Sequence, residues 1–139
     1  MKKLLAFSLI FCVQFSHAAE WLHIFNTETE GYYVDIESVK NVNSYNKDLI
    51  KAWFKLDIFK DITKDGMGVG DKTMVLYQID CKSKKMGLLQ GIRYKKGKPF
   101  GATLNMPNPN MKDVIPDSNG EDMLNRACSI YEIQNGTRS

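Results

Sequence analysis

Alternation with a period of two runs through most of this chain. In the stretch from Ile50 to Ile58, the side chains of Ile50, Ala52, Phe54, Leu56 and Ile58 fall on one side. Lys51, Trp53, Lys55 and Asp57 fall on the other, which predicts a half-buried strand with one core-facing and one outward face. Lys72 to Cys81 repeats the pattern, with Thr73, Val75, Tyr77, Ile79 and Cys81 opposite Met74, Leu76, Gln78 and Asp80. Trp21 to Phe25 and Tyr32 to Ile36 have strand composition and flank the polar segment Asn26 to Gly31, so they predict an N-terminal hairpin. Asp35 is placed to accept backbone N–H groups and start a turn, and Asn41 to Asp48 is an exposed connection. Met86 to Tyr94 reads as a return strand weakened by Gly87 and Gly91, and Phe100 to Leu104 as a short last strand. Lys60 to Asp71, charged and rich in glycine, is a long flexible loop.

The period changes near the C-terminus. Pro107, Pro109 and Pro116 keep Asn105 to Pro116 out of the middle of a sheet, because proline has no N–H for a ladder. Ser118-Asn119-Gly120-Glu121 then fits a capping box. Met123, Leu124, Ala127, Cys128 and Tyr131 fall on one helical stripe, the pattern of a helix with one buried face. Asn135 to Ser139 is expected to fray. The fold class is therefore α+β: an antiparallel meander crossed by one C-terminal helix, with no internal repeat.

The first residues change what the cysteines mean. Lys2 and Lys3 precede an apolar run from Leu4 to Phe15, and Ser16-His17-Ala18 is a small-x-small cleavage site, so residues 1–18 read as a secretory signal peptide. The run is shorter than the roughly 20 apolar residues that a membrane-spanning helix needs, and no other stretch is long enough. Cys12 follows Leu9-Ile10-Phe11, a bulky approach that is wrong for bacterial lipoprotein processing, so it is read as discarded and the product as unlipidated. The expected product, residues 19–139, is about 120 residues long, one domain's worth. It keeps Cys81 and Cys128 from the three cysteines of the chain. An even number of cysteines in an oxidising compartment pairs, whereas two buried free thiols would suit a reducing one. Closing a loop of about 48 residues stabilises the fold by about 4 kcal/mol in the chain-entropy model. Cys128 lies in the helical stripe, so the bond forms if the helix packs on the sheet near Cys81.

Charge and chemistry narrow the function. The chain has 19 basic and 16 acidic residues, but Lys2 and Lys3 belong to the leader, and a near-neutral product is a poor nucleic-acid binder. Gly66 to Thr73 misses a P-loop: Asp71 stands where glycine should precede the Lys-Thr pair, and a strand follows instead of a helix. His23 is the sole histidine after the leader, with no nucleophile elbow and no metal-ligand spacing beside it, so it reads as structural. Asp57, Asp61, Asp65 and Asp71 do not match a calcium loop and read as solvated charge. No cofactor and no metal site are expected. Two basic hairpin tips remain as candidate binding sites, Lys82, Lys84 and Lys85 at one end of a strand and Lys95, Lys96 and Lys98 at the other. Their field could attract an acidic protein surface or an anionic polymer, and equally keeps exposed tips soluble. Asn135-Gly136-Thr137 is a glycosylation sequon by pattern alone.

In order along the chain, Trp21, Tyr33-Val34-Asp35, Ser38-Val39, Ala52-Trp53, Ile79-Asp80-Cys81, Tyr94, Ile115-Pro116-Asp117-Ser118, Leu124 and Cys128 resemble the bacterial surface-adhesin protein E family. Its most specific pieces are the Ile-Asp-Cys strand end and the Pro-x-Ser helix start. The resemblance implies a six-stranded antiparallel sheet whose C-terminal helix is held by a Cys81–Cys128 disulfide. It also implies an exported, non-enzymatic binding protein of a Gram-negative bacterium, with host matrix or serum proteins such as laminin, vitronectin and plasminogen as partners, and a homodimer. The missing lipidation cysteine departs from the family pattern. It leaves two destinations open, the cell surface and a soluble periplasmic product with a bacterial partner.

Overall fold

A computed structural model describes residues 18–60 and 65–136. The expected signal peptide up to His17, together with Asp61, lies outside the described residues. Eight strands form: β1 (Trp21–Asn26), β2 (Glu30–Asp35), β3 (Lys40–Asn41), β4 (Leu49–Ile58), β5 (Lys72–Asp80), β6 (Lys85–Lys95), β7 (Lys98–Asn105) and β8 (Lys112–Asp113). They make one sheet in the order β1-β2-β4-β5-β6-β7, with β3 also on β4 and β8 also on β6, and every pairing is antiparallel.

Because β5 occupies one full edge of β4, β2 and β3 share the other edge as one interrupted strand. Polar side chains make the interruption. Asp35 Oδ1 accepts from the N–H of Glu37 at 3.1 Å, and the Ser38 hydroxyl donates to the Asp35 carbonyl at 2.7 Å. The N–H of Trp53 donates to Ser38 Oγ at 2.8 Å, replacing the ladder bond that the break removes. The six main strands match the expected meander, with ends shifted by one or two residues; β2 and β5 each stop one residue sooner than expected. The chain after β7 adds only the two-residue edge strand β8, as its prolines require.

Helix α1 (Asn119–Asn135) crosses one side of the sheet, with the N–H of Glu121 donating to Ser118 Oγ at 3.3 Å. The glutamate does not reach back to the cap residue. Its carboxylate instead accepts from the N–H of Asp117 at 2.8 Å, one residue earlier than a standard capping box places it. The helix runs to Asn135 and stops on Gly136, at φ 67°, a left-handed cap that glycine adopts without strain. Fraying therefore does not begin at Asn135.

Core residues come from both layers: Val34, Ile50, Ala52, Phe54 and Ile79 from the sheet, and Met123, Leu124, Ala127, Cys128 and Ile130 from the helix. Ile130 was not in the predicted stripe. Facing positions explain the packing, since Val34 pairs with Phe54, Phe54 with Val75, Ile50 with Ile79 and Ala52 with Tyr77. The disulfide joins Cys81, just past β5, to Cys128 in the middle of α1, with Cα atoms 5.9 Å apart.

One reading of charge is overturned. Asp71 is 7% exposed, not solvated, and its carboxylate accepts from the N–H groups of Gly68 at 2.9 Å and Lys96 at 2.9 Å. These two donors hold its carboxyl below the usual aspartate value because they favour the charged form. Asp71 thereby pins the loop before β5 to the β6–β7 hairpin, and Met67 in that loop is buried. Met67 and Asp71 thus anchor the described part of this loop, while Asp65, Gly66, Val69 and Gly70 stay exposed.

Candidate binding surface

Helix α1 covers one side of the sheet, and the side chains on the other side fall into three cross-strand rows. Trp21 is opposite Asp35 on β2, while Trp53 is opposite Leu76 and Leu76 opposite Gln90. The second row runs His23, Tyr33, Lys55, Met74, Ile92, and the third Asn26, Gly31, Asp57, Lys72, Tyr94. Strand pleating forces this arrangement, because residues directly paired across antiparallel strands point the same way. Pro109 and Met111 cover only the end of this face near Gly87, and Gln78 donates to the Met111 sulfur at 3.7 Å.

Lys55 is at the centre of the face. Its ammonium is 4.5 Å from the Tyr33 ring centre, 5.0 Å from that of Trp21 and 3.0 Å from Asp57 Oδ2. The two rings attract the cation through their negative faces, so Trp21 and Tyr33 are held in place. His23 donates to Asn26 Oδ1 at 2.8 Å and meets Tyr33 edge-on at 5.2 Å between ring centres. Its contacts belong to the face and include no nucleophile. Lys72 is 5.6 Å from the Tyr94 ring centre. The result is a wide surface of Trp, Tyr, Met, Leu and Ile with fixed charges among them.

The basic tips lie at the two ends of β6. At the first, Lys84 pairs with Glu121 at 3.4 Å and Lys85 with Asp113 at 3.8 Å, leaving Lys82 without a carboxylate partner among the described residues. Lys84 and the Asp117 N–H lower the Glu121 pKa, the N–H being the larger cause. At the second, the Lys95 ammonium donates to the Gly66 carbonyl and lies 5.2 Å from the Phe100 ring centre. Lys96 and Gly97, at φ 50° and 76°, form the two-residue turn whose twist suits a hairpin, and the Lys96 and Lys98 side chains project from it exposed. Three of the six tip lysines therefore have partners within the chain, two of them in exposed ion pairs that contribute little to stability. The sequence marked the lysines, but their acidic and ring partners are distant in the chain.

Among the described residues there is no group of three or more His, Cys, Asp and Glu side chains that could hold a metal ion. Among the described residues no buried side-chain nitrogen or oxygen lacks a hydrogen-bond partner, and no helix is long and apolar enough to cross a membrane.

Comparison with known proteins agrees with this architecture. The structure of Haemophilus influenzae protein E superposes with a TM-score of 0.53 at 11% identity, covering 80% of this chain and 85% of that one. A crystal structure of protein E from non-typeable Haemophilus influenzae gives a TM-score of 0.50 at 12% identity, covering 83% and 78%. At these identities the likeness speaks for the fold. No curated protein matches the sequence. A family model described as surface-adhesin protein E matches residues 21–129, from the first residue of β1 to the residue after the helical cysteine. The chain therefore belongs to the surface-adhesin protein E family.

Proposed function

We propose that this is an exported, non-enzymatic binding protein that engages another protein through the open face of its sheet. The observation that carries the reading is the cluster of aromatic and aliphatic side chains in two adjacent rows, Trp21, Tyr33, Trp53, Leu76, Met74 and Ile92, which lies on the helix-free side of the sheet and is only half-buried by the chain itself. Trp, Tyr and Met are enriched in protein interfaces and dominate their energetics when a partner desolvates them. Lys96 and Lys98 at one tip and Lys82 at the other supply the long-range field that steers an acidic partner. Family membership supports host matrix or serum proteins as the partner class, with laminin, vitronectin and plasminogen as the named candidates. A homodimer and export through cleavage after Ala18 complete the reading, and the Cys81–Cys128 bond fits an oxidising compartment.

Binding to immobilised laminin, vitronectin and plasminogen tests it. Trp53→Ala with Tyr33→Ala is expected to weaken binding by at least about tenfold, the loss of one modest hot spot. Lys96→Ala with Lys98→Ala is expected to slow association and flatten its salt dependence. Undiminished binding by the folded Trp53/Tyr33 variant would refute the open face as the site. Fractionation of the processed product locates it, and one stoichiometric bacterial partner captured from periplasmic extract would replace the host partner with a bacterial one.

A further inference from the structure

Helix α1 covers only part of its side of the sheet, chiefly β1, β2 and β4 together with the Ile79 end of β5. Beyond Tyr77 the same side forms a trough of about 310 Å³ among Thr73, Val75, Leu88, Gly91, Arg93, Ala102 and Leu104. That is the small end of the range of small-molecule sites, roughly 300–1,000 Å³. A glycine inside a strand marks a bulge or a close approach, and Gly91 adjoins a register shift against β7. At Gly87 the close approach is by the chain itself, since an added Cβ would meet Met111 at 2.8 Å and Pro109 at 2.9 Å. At Gly91, facing Val75 across the ladder, the nearest group to an added Cβ would be the Leu104 side chain, at 3.6 Å, an ordinary contact. Gly91 is therefore a buried floor, and Leu104, 53% exposed, is the rim over it that the fold does not bury.

One end of the trough carries a fixed cation. The Arg93 guanidinium is 5.5 Å from the Phe100 ring centre and close against Gly101, with no carboxylate partner among the described residues. Lys95 lies over the same ring. Asp71, the buried acid at this end, is already engaged by the N–H groups of Gly68 and Lys96. An apolar channel ending on an unpaired guanidinium complements a ligand with an apolar chain and a single anionic head. Addition of a peptide strand at β7 fits poorly, because Pro99 has no N–H and the strand is bulged, at φ 74° for Gly101.

We propose that this trough binds a medium-chain fatty carboxylate of about ten carbons, its alkyl chain on Val75, Leu88, Gly91 and Leu104 and its carboxylate on Arg93. The inference does not rest on the open-face reading, which concerns the opposite side of the sheet.

Calorimetric titration of the purified protein with decanoate, decanol and decyltrimethylammonium below their micelle concentrations tests it. Decanoate is expected to bind saturably at one site, with each methylene from hexanoate upward tightening binding about fourfold. Arg93→Gln should cost decanoate about tenfold or more, the weight of a charged hydrogen bond, and leave decanol unchanged. Gly91→Ile, which fills the floor, and Ala102→Trp, which closes the exposed rim, should each abolish decanoate binding in protein whose melting remains cooperative. Host-protein binding should be unaffected by either variant, so this proposal and the proposed function fail separately. Absence of saturable binding, equal affinity for the three head groups, unchanged binding in both folded filling variants, or displacement of decanoate by self-association at high protein concentration would each overturn it.

Discussion

Replacing Cys81 and Cys128 together by alanine removes the covalent link between β5 and α1, and the structure sets the size of the effect. The bonded residues are 47 apart in sequence, and closing a loop of that length removes about 4 kcal/mol of chain entropy from the unfolded state. A domain of this size has roughly 5–15 kcal/mol in total, so the variant should fold with a thin margin. With a urea slope of about 2 kcal/mol/M, the unfolding midpoint should fall by about 2 M, and the slope should rise as the unfolded chain expands. The helix should nevertheless stay docked in plain buffer, because Leu124, Ala127 and Ile130 remain buried against the sheet without the bond. Urea titration followed by far-UV circular dichroism measures all three quantities. A midpoint shift under about 0.5 M would refute the loop-entropy argument. Loss of the helical signal before any denaturant is added would refute the claim that apolar packing alone seats the helix.

Leu124→Ala should destabilise by about 2–5 kcal/mol, because the side chain is 2% exposed, and a urea midpoint within error of the parent protein would contradict that packing. Asp71→Asn should lower stability at neutral pH. The Asp71 carboxyl is held below its ordinary 3.8, so its stabilisation is present above that value and lost as pH falls through the lowered one. The gap between parent and variant should therefore close on acidification, and a gap independent of pH would refute the role. Burial, then the Glu30 charge, pushes the Tyr32 hydroxyl up to about 12. Stability from its neutral form should be complete below about pH 10 and fade as pH rises towards 12. Ultraviolet titration of the parent against Tyr32→Phe checks this by the loss of the latest-ionising phenol.

Much of this fold is legible from alternation alone. Ile50, Ala52, Phe54 and Ile79 fall inside because each occupies every second position of a long run with no competing signal. Ser118 is legible for a different reason, since a hydroxyl three residues before a glutamate and a buried stripe leaves few other conformations as good. Asp71 is not legible. Its two donors come from Gly68 nearby and from Lys96, 25 positions away, and nothing in a run of glycines and charges says that a distant hairpin returns to meet it. Ile130 is missed because a stripe at i, i+1, i+4, i+5 and i+8 from Met123 leaves out the i+7 position that lies on the same face.

The candidate surface shows a second limit. Alternation separates Trp53 from Phe54, but it does not say which side the helix takes, since both sides of β5 carry large apolar side chains, Val75 and Tyr77 on one and Met74 and Leu76 on the other. The position of the helix decides the matter. The disulfide holds α1 over the Ile79 side, at the β5 terminus, and this leaves Trp53, Tyr33 and Lys55 facing outward. The far part of the helix side is uncovered because α1, tied at the end of β5, lies over β4, β2 and β1 and not over β6 and β7. The seating of one helix, by packing and by its disulfide, thus determines both which face is free and which trough remains open, so the two surfaces proposed for binding have a common structural origin and separate chemistries.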